Sequence, residues 1–238
     1  MTELLYISAP DETATEVTIE SAHVDTKGPY LVLDRTPFYP QGGGQPSDTG
    51  SIEAEGFTFE VSKVVFADGE VRHYGVVHGE PTPGRAMARI DETRRQLHAR
   101  LHTAGHLVMT AMFEQSSLRA VKGYHFPDGA YVEFDGVIED EEREDAIEAL
   151  NARLAEMVAI DEPISVESTT VAELLASGVF IPTELPPDKP TRVVSTFGYR
   201  SPCGGTHVES TGELGGLAVK RIKTKSGRAR VAYRLDHA

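Results

Sequence analysis

The alternation of apolar and polar positions changes character about residue 90 of this 238-residue chain. Before that point, short runs repeat with a period of two. Examples are Val17, Thr18, Ile19 and Glu20, then residues 30–34, then Phe57, Thr58, Phe59, Glu60 and Val61. A period of two sends successive side chains to opposite faces of a strand. Turn signals such as Lys27, Gly28 and Pro29, or Ala67, Asp68 and Gly69, separate the runs. Short strands at such spacing predict a small barrel or a strongly curled sheet. Beyond residue 90 the period lengthens. Leu97, Leu101, Ala104 and Val108 stand at helical spacing, which predicts a helix from about residue 91 to 114 with Asp91 as its N-cap.

The remainder mixes both periods. Residues 121–125 and 130–134 read as two strands, followed by an amphipathic helix over 139–158 with Ala146, Ile147, Leu150, Leu154 and Met157 as its apolar stripe. A strand over 163–167 precedes a short helix capped by Thr170 and ended at Gly178. A strand over 191–195 follows, then two more over 217–222 and 229–235 around a hairpin turn at Ser226 and Gly227. The expected fold class is α+β. A small N-terminal β-barrel-like domain occupies 1–90, with Pro81, Thr82, Pro83 and Gly84 as a linker. An α+β domain occupies 91–238, its helices packed on a mostly antiparallel sheet.

Composition narrows the setting. No apolar run approaches the ~18–20 residues that span a bilayer, so no membrane association is expected. The first nine residues lack a basic, apolar leader, and a single cysteine forms no internal disulfide. Together these fit a reducing, cytoplasmic location. Net charge of −14 argues against binding nucleic acid through bulk electrostatics. A local basic face is available in the tail, where Lys220, Arg221, Lys223, Lys225, Arg228, Arg230 and Arg234 crowd together. The acidic run over 139–145 reads as a solvated helix start.

Chemistry concentrates in two places. His98, His102 and His106 recur every fourth residue of the predicted helix, and residues at i and i+4 lie one above the other. About a hundred residues later, Cys203 stands four positions before His207, with Gly204 and Gly205 letting the loop fold back. His102, His106, Cys203 and His207 form a three-nitrogen, one-sulfur set suited to Zn²⁺. His98 competes with His106 as the partner of His102, because both pairs have the same spacing. Thr103 stands where a metalloprotease would carry its glutamate base, so that chemistry is disfavoured. The alternatives are buried or surface histidines around a buried thiol, and a Cys203–His207 nucleophilic dyad. A third feature is the run of Gly42, Gly43 and Gly44. Its amides could receive an anion such as phosphate, or the run is a plain tight loop; no Gly-Lys-Ser/Thr follows, so it is no P-loop.

The combination resembles a known family. His102, Thr103, Ala104, Gly105, His106 and Leu107, with Cys203, Gly204, Gly205, Thr206, His207 and Val208, are similar to the zinc-binding pair of the alanyl-tRNA synthetase editing domain. Residues 34–50, together with Thr211, Gly212 and the closing Gly227, Arg228, Ala229 and Arg230, match its glycine-rich and C-terminal patterns. With no aminoacylation domain ahead of residue 1, the chain looks like the medium-length form of the free-standing AlaX editing proteins. The resemblance implies a trans-acting hydrolase that removes serine, with glycine as a second candidate, from mischarged tRNA(Ala). It implies Zn²⁺ on His102, His106, Cys203 and His207, either with all four groups bound or with one position left to water or substrate. Thr103, Gly105 and Thr206, which sit beside those four positions, are candidates for reading the substrate hydroxyl, and Gly42, Gly43, Gly44, Gln45 and Asp48 are substrate- and tRNA-binding candidates. Two departures stand out: Gly105 occupies a place where the synthetase pattern usually has a hydroxyl-bearing residue, and a glutamine of that pattern has no match near residues 120–122. A non-catalytic zinc-containing RNA-binding module and a metal-dependent hydrolase of small molecules are the competing readings. The oligomeric state is left open between monomer and dimer.

Overall fold

The two-residue alternation of the N-terminal part closes on itself. In the computed structural model, which describes residues 2–182 and 185–236, the chain divides into two units. The first comprises Met1–Gly42 and Pro46–Gln96, the second Gly43–Gln45 and Leu97–Ala238.

The first unit opens with β1 (Glu3–Leu4) and the single turn α1 (Leu5–Ser8). It continues through β2 (Ala14–Asp25), β3 (Gly28–Leu33), β4 (Arg35–Thr36), β5 (Gly50–Ala54), β6 (Phe57–Ala67), β7 (Glu70–Gly79) and β8 (Gly84–Ile90). Strands β2, β3, β7, β6, β5 and β8 form a closed barrel in that order, every pair antiparallel. Closure satisfies every edge. The inward positions fill it: Val17, Ile19, Leu31, Leu33, Ile52, Phe59 and Val64 are buried together. The segment read as a linker is shorter than expected, because Gly84 is already the first residue of β8 and Arg85 pairs with Thr18.

Within this unit the glycine-rich stretch is tied at both ends. The Tyr39 amide donates to Asp48 Oδ2 at 2.7 Å, and the Asp48 amide donates to the Tyr39 carbonyl at 3.1 Å. Arg95 donates from Nε to the same carboxylate oxygen at 2.9 Å and from Nη2 to the Pro37 carbonyl at 2.6 Å. Asp48 is fully buried and Arg95 nearly so, so each charge depends on the other.

Helix α2 (Glu92–Ser116) belongs to the first unit up to Gln96 and to the second thereafter. Asp91 caps it as expected, accepting from the Arg94 amide at 3.0 Å. Over 101–112 nearly every residue is buried, polar ones included. The second unit continues with β9 (Arg119–Tyr124), β10 (Tyr131–Asp135), a 3-10 turn at Asp140–Glu142, α3 (Arg143–Ile160), β11 (Ser165–Thr170) and α4 (Val171–Ala176). It ends with β12 (Pro190–Thr196), β13 (Tyr199–Pro202), a 3-10 turn at Thr211–Leu214, β14 (Leu217–Lys225) and β15 (Arg228–Leu235). The acidic run is therefore a 3-10 lead-in, and the α-helix starts at Arg143 rather than 139. Thr170 caps α4 as read from sequence, in a reciprocal pair with Glu173.

One sheet has the order β14-β15-β10-β9 and a second the order β11-β12-β13, all antiparallel. Leu150, Leu154 and Met157 of α3 and Leu101, Leu107, Val108 and Met112 of α2 share one core with Val132, Phe134, Ala229 and Val231 of the sheet. The hairpin turn at Ser226 and Gly227 takes left-handed φ values of 52° and 73°, as a two-residue hairpin requires. The fold is thus the α+β arrangement with a barrel that the periodicities imply.

Candidate metal centre and its cavity

All elements of the site belong to the second unit. Helix α2 delivers His102 and His106 one turn apart. The loop after β13 delivers Cys203 and His207, and the isolated segment Gly43–Gln45 packs alongside. The donor atoms of His102, His106, Cys203 and His207 all lie within 4.8 Å of one another. Cys203 Sγ is 3.5 Å from His102 Nε2 and 3.2 Å from His207 Nε2. The group could hold a metal ion. His98, one turn earlier on α2, is fully buried and outside the group. A helical turn of four residues carries it about 6 Å further along the axis, so spacing alone left a choice that the fold resolves for His106.

Each imidazole is anchored through Nδ1. Gln45, fully buried, accepts at Oε1 from the Thr206 amide at 3.1 Å and donates from Nε2 to Thr206 Oγ1 at 2.8 Å. The Thr206 amide can only donate, which fixes the glutamine with its oxygen facing that amide. The same oxygen lies 2.7 Å from His102 Nδ1, so His102 carries its proton on Nδ1 and keeps the Nε2 lone pair for the group. Thr103 Oγ1 sits 3.0 Å from His207 Nδ1 and accepts from the Val208 amide at 3.3 Å. Ser201 Oγ sits 3.2 Å from His106 Nδ1. These are the outer contacts that orient metal-binding imidazoles.

The loop itself is held by Arg192, whose Nη1 donates to the carbonyls of Cys203 at 3.1 Å and Gly205 at 2.8 Å. Gly205 has to be glycine. A Cβ there would lie 2.0 Å from His102 Cε1 and 2.2 Å from its Nδ1. Gly43 and Gly44 adopt φ values of 54° and 81°, and a Cβ on Gly44 would meet the Gly123 carbonyl at 2.4 Å.

Burial sets the protonation states. It pulls His102 and His207 well below the usual imidazole range, helped by the neighbouring histidines and Arg192, and pulls His106 to about 4 with help from Arg192. Burial pushes the Cys203 thiol up to about 11, against the opposing pull of the Gly205 amide and Arg192. Neutral imidazoles are the metal-ready form; the thiol yields its proton when a cation arrives.

The group opens into a cavity of about 470 Å³, lined by His102, His106, Cys203, Gly43, Gly44 and His125 among others. Met109, Val121, Phe180 and Tyr199 give it apolar walls, and Lys122 a cation. Of the sequence candidates, Gly43 and Gly44 line this cavity, and Gln45, Thr103 and Thr206 stand behind the donor group. Gly105 lies on α2 under the His125 ring. Gly42 and Asp48 belong to the first unit, where Gly42 accepts from Tyr39 Oη at 2.9 Å. Sequence reading missed Ser201, Arg192, His125 and Tyr233 as site residues. Each is a single polar position with no local pattern, although Ser201 stands two residues before the cysteine.

Residues 9–94 match the family model of class II (A) tRNA synthetases, and residues 191–231, which contain Cys203 and His207, match that of the threonyl and alanyl tRNA synthetase second additional domain. An alanine–tRNA ligase of Methanoregula boonei is 34% identical over 93% of this chain, which spans only 24% of that ligase. The alanyl-tRNA editing protein AlaX-M of Methanosarcina mazei is 29% identical over 98% of this chain and 96% of its own length. AlaX-L of Pyrococcus horikoshii is 30% identical over 95% of this chain and 56% of its own. No helix among the described residues is long and apolar enough to cross a membrane.

Proposed function

We propose that this chain, a homologue of the AlaX alanyl-tRNA editing proteins and of alanine–tRNA ligases, is a zinc-dependent deacylase. Its substrate is tRNA(Ala) mischarged chiefly with serine, whose aminoacyl ester it hydrolyses. The observation that carries the reading is the four-residue donor group at the wall of the cavity. Three imidazoles and one thiolate are the donors zinc prefers, whereas Mg²⁺ and Ca²⁺ take oxygen. A sulfur–nitrogen edge of a tetrahedron with ordinary zinc bond lengths is about 3.6 Å, close to the 3.5 Å and 3.2 Å found. With one of the four positions given over to water or substrate, zinc held there would supply Lewis-acid polarisation of an oxygen.

The chain's own residues do the rest. Gln45, Thr103 and Ser201 hold the three imidazoles in register. The apolar walls shelter the aminoacyl group, and the backbone of Gly43 and Gly44, the latter packed against the Gly123 carbonyl, completes the lining. Elsewhere on the second unit, Lys220, Arg221, Arg230 and Arg234 line one groove of about 1020 Å³ with Tyr131, alongside Asp128 and Asp236 and with Arg230 paired to Glu133. It gives an acidic protein a local surface for tRNA phosphates. A second hydrolytic site has a physical purpose: an apolar pocket selects weakly against an isostere that only adds a hydroxyl, so serine escapes the first selection.

The test is release of amino acid from Ser-tRNA(Ala) and Ala-tRNA(Ala), with a small aminoacyl ester run alongside. Serine released and alanine spared, with uncharged tRNA as an inhibitor, is the expected result. Tight tRNA binding without release would leave a binding module, and small-ester turnover indifferent to tRNA would leave a small-molecule hydrolase.

A further inference from the structure

His125 is outside the donor group, yet it is only 2% exposed and lines the cavity beside it. Its ring stacks on His102 with 4.6 Å between centroids, and its amide donates to the Gly44 carbonyl at 2.8 Å. Two glycines clear its place. A Cβ at Gly105 would lie 2.4 Å from His125 Cε1, and one at Gly123 would lie 2.3 Å from His125 Nε2. The hydroxyl-bearing residue absent at position 105 thus makes way for an imidazole arriving from the end of β9.

The hydrogen bonds fix which nitrogen is bare. Tyr233 Oη donates its one proton to the Leu101 carbonyl at 2.9 Å, so at 2.6 Å from His125 Nδ1 it accepts. His125 therefore carries its proton on Nδ1. Its Nε2 is a lone pair with no hydrogen-bond partner among the described residues. The nearby hydroxyls are engaged elsewhere: Thr103 with His207 and Val208, Thr206 with Gln45. Neither threonine lines the cavity.

We propose that His125 Nε2 accepts a hydrogen bond from the side-chain hydroxyl of the aminoacyl group and so determines specificity for serine. The proposal rests on the deacylase reading above. A seryl group fills the lone pair, whereas an alanyl methyl leaves it buried and unpaired, a difference of about 10- to 100-fold in affinity.

Calorimetry with hydrolysis-resistant, amide-linked seryl- and alanyl-adenosine on the zinc-loaded protein tests this apart from turnover. His125→Asn keeps a group beside Tyr233 and withdraws the far acceptor; His125→Gln extends an acceptor toward the Nε2 position. The unmutated protein is expected to favour the seryl compound by about tenfold or more, H125N to bring the two within about twofold, and H125Q to restore part of the preference, all at equal zinc content. Equal weakening of both compounds in H125N would assign the nitrogen to the α-ammonium or to structure, and an undiminished preference would remove it from recognition; either overturns the proposal. Binding of neither compound by the unmutated protein would overturn the deacylase reading as well.

Discussion

Replacing Gln45 by leucine removes the link between the glycine-rich segment and the metal group without touching a ligand. Three hydrogen bonds go: 2.7 Å from His102 Nδ1, 2.8 Å to Thr206 Oγ1 and 3.1 Å from the Thr206 amide. Each is worth about 0.5–1.5 kcal/mol net, and the buried partners left behind cost about 1–3 kcal/mol each. Only the first bears directly on the ion, since it sets the tautomer and orientation of His102. The expected loss is therefore about 10- to 100-fold in zinc affinity, or about 1.4–2.7 kcal/mol. Gln45→Glu provides the opposite sign: a carboxylate accepts from His102 Nδ1–H more strongly, so zinc binding should hold or tighten. Competition against a chromophoric chelator, with the metal-free proteins checked for folding, reads both variants. Leucine binding zinc as tightly as glutamine would refute the role given to this contact.

Three further outcomes follow from particular distances and shifts. Gly205→Ala should eliminate stoichiometric zinc while the barrel stays folded, because the new Cβ falls 2.0 Å from His102 Cε1; elemental analysis of the purified variant decides it. Asp48→Ala leaves the Arg95 guanidinium buried without its carboxylate and should cost about 3–5 kcal/mol in urea unfolding, with an unchanged midpoint refuting the pair's importance. His73, fully buried in the barrel between Thr36 and the Leu31 carbonyl, is pulled from 6.5 to about 4 by burial. It stays neutral in the fold while the unfolded chain protonates. Its contribution is therefore complete above pH 6.5, is lost as pH falls toward about 4, and amounts to about 3 kcal/mol. Urea unfolding at about pH 7.5 and about pH 4.5 should show His73→Gln losing that part of the slope.

What could be read from the chain depended on whether a signal was local. The donor pairs were legible because metal ligands keep fixed offsets on one helix and in one loop, and only the tie between His98 and His106 needed the fold. The long helix and the closing hairpin were legible because their apolar positions keep one period. Strands β5, β7 and β8 were not. The inward positions of β7 include His73, which breaks the apolar alternation, and β8 buries Ala86 and Ala88, whose methyls give a weak signal. Gln45 stood out in its glycine-rich run, but its contact with His102, 57 residues away in sequence, needed the fold. The same holds for Ser201 with His106 and for Tyr233 with His125, each joined across about a hundred residues.

The most direct measurement titrates zinc into metal-free protein while following release of serine from Ser-tRNA(Ala), with Cys203→Ala treated identically. Release should appear with the first equivalent and saturate there, a chelator should abolish it, and the variant should show neither zinc binding nor release. Full release by the metal-free protein, or by the zinc-free variant, would contradict the zinc-dependent reading.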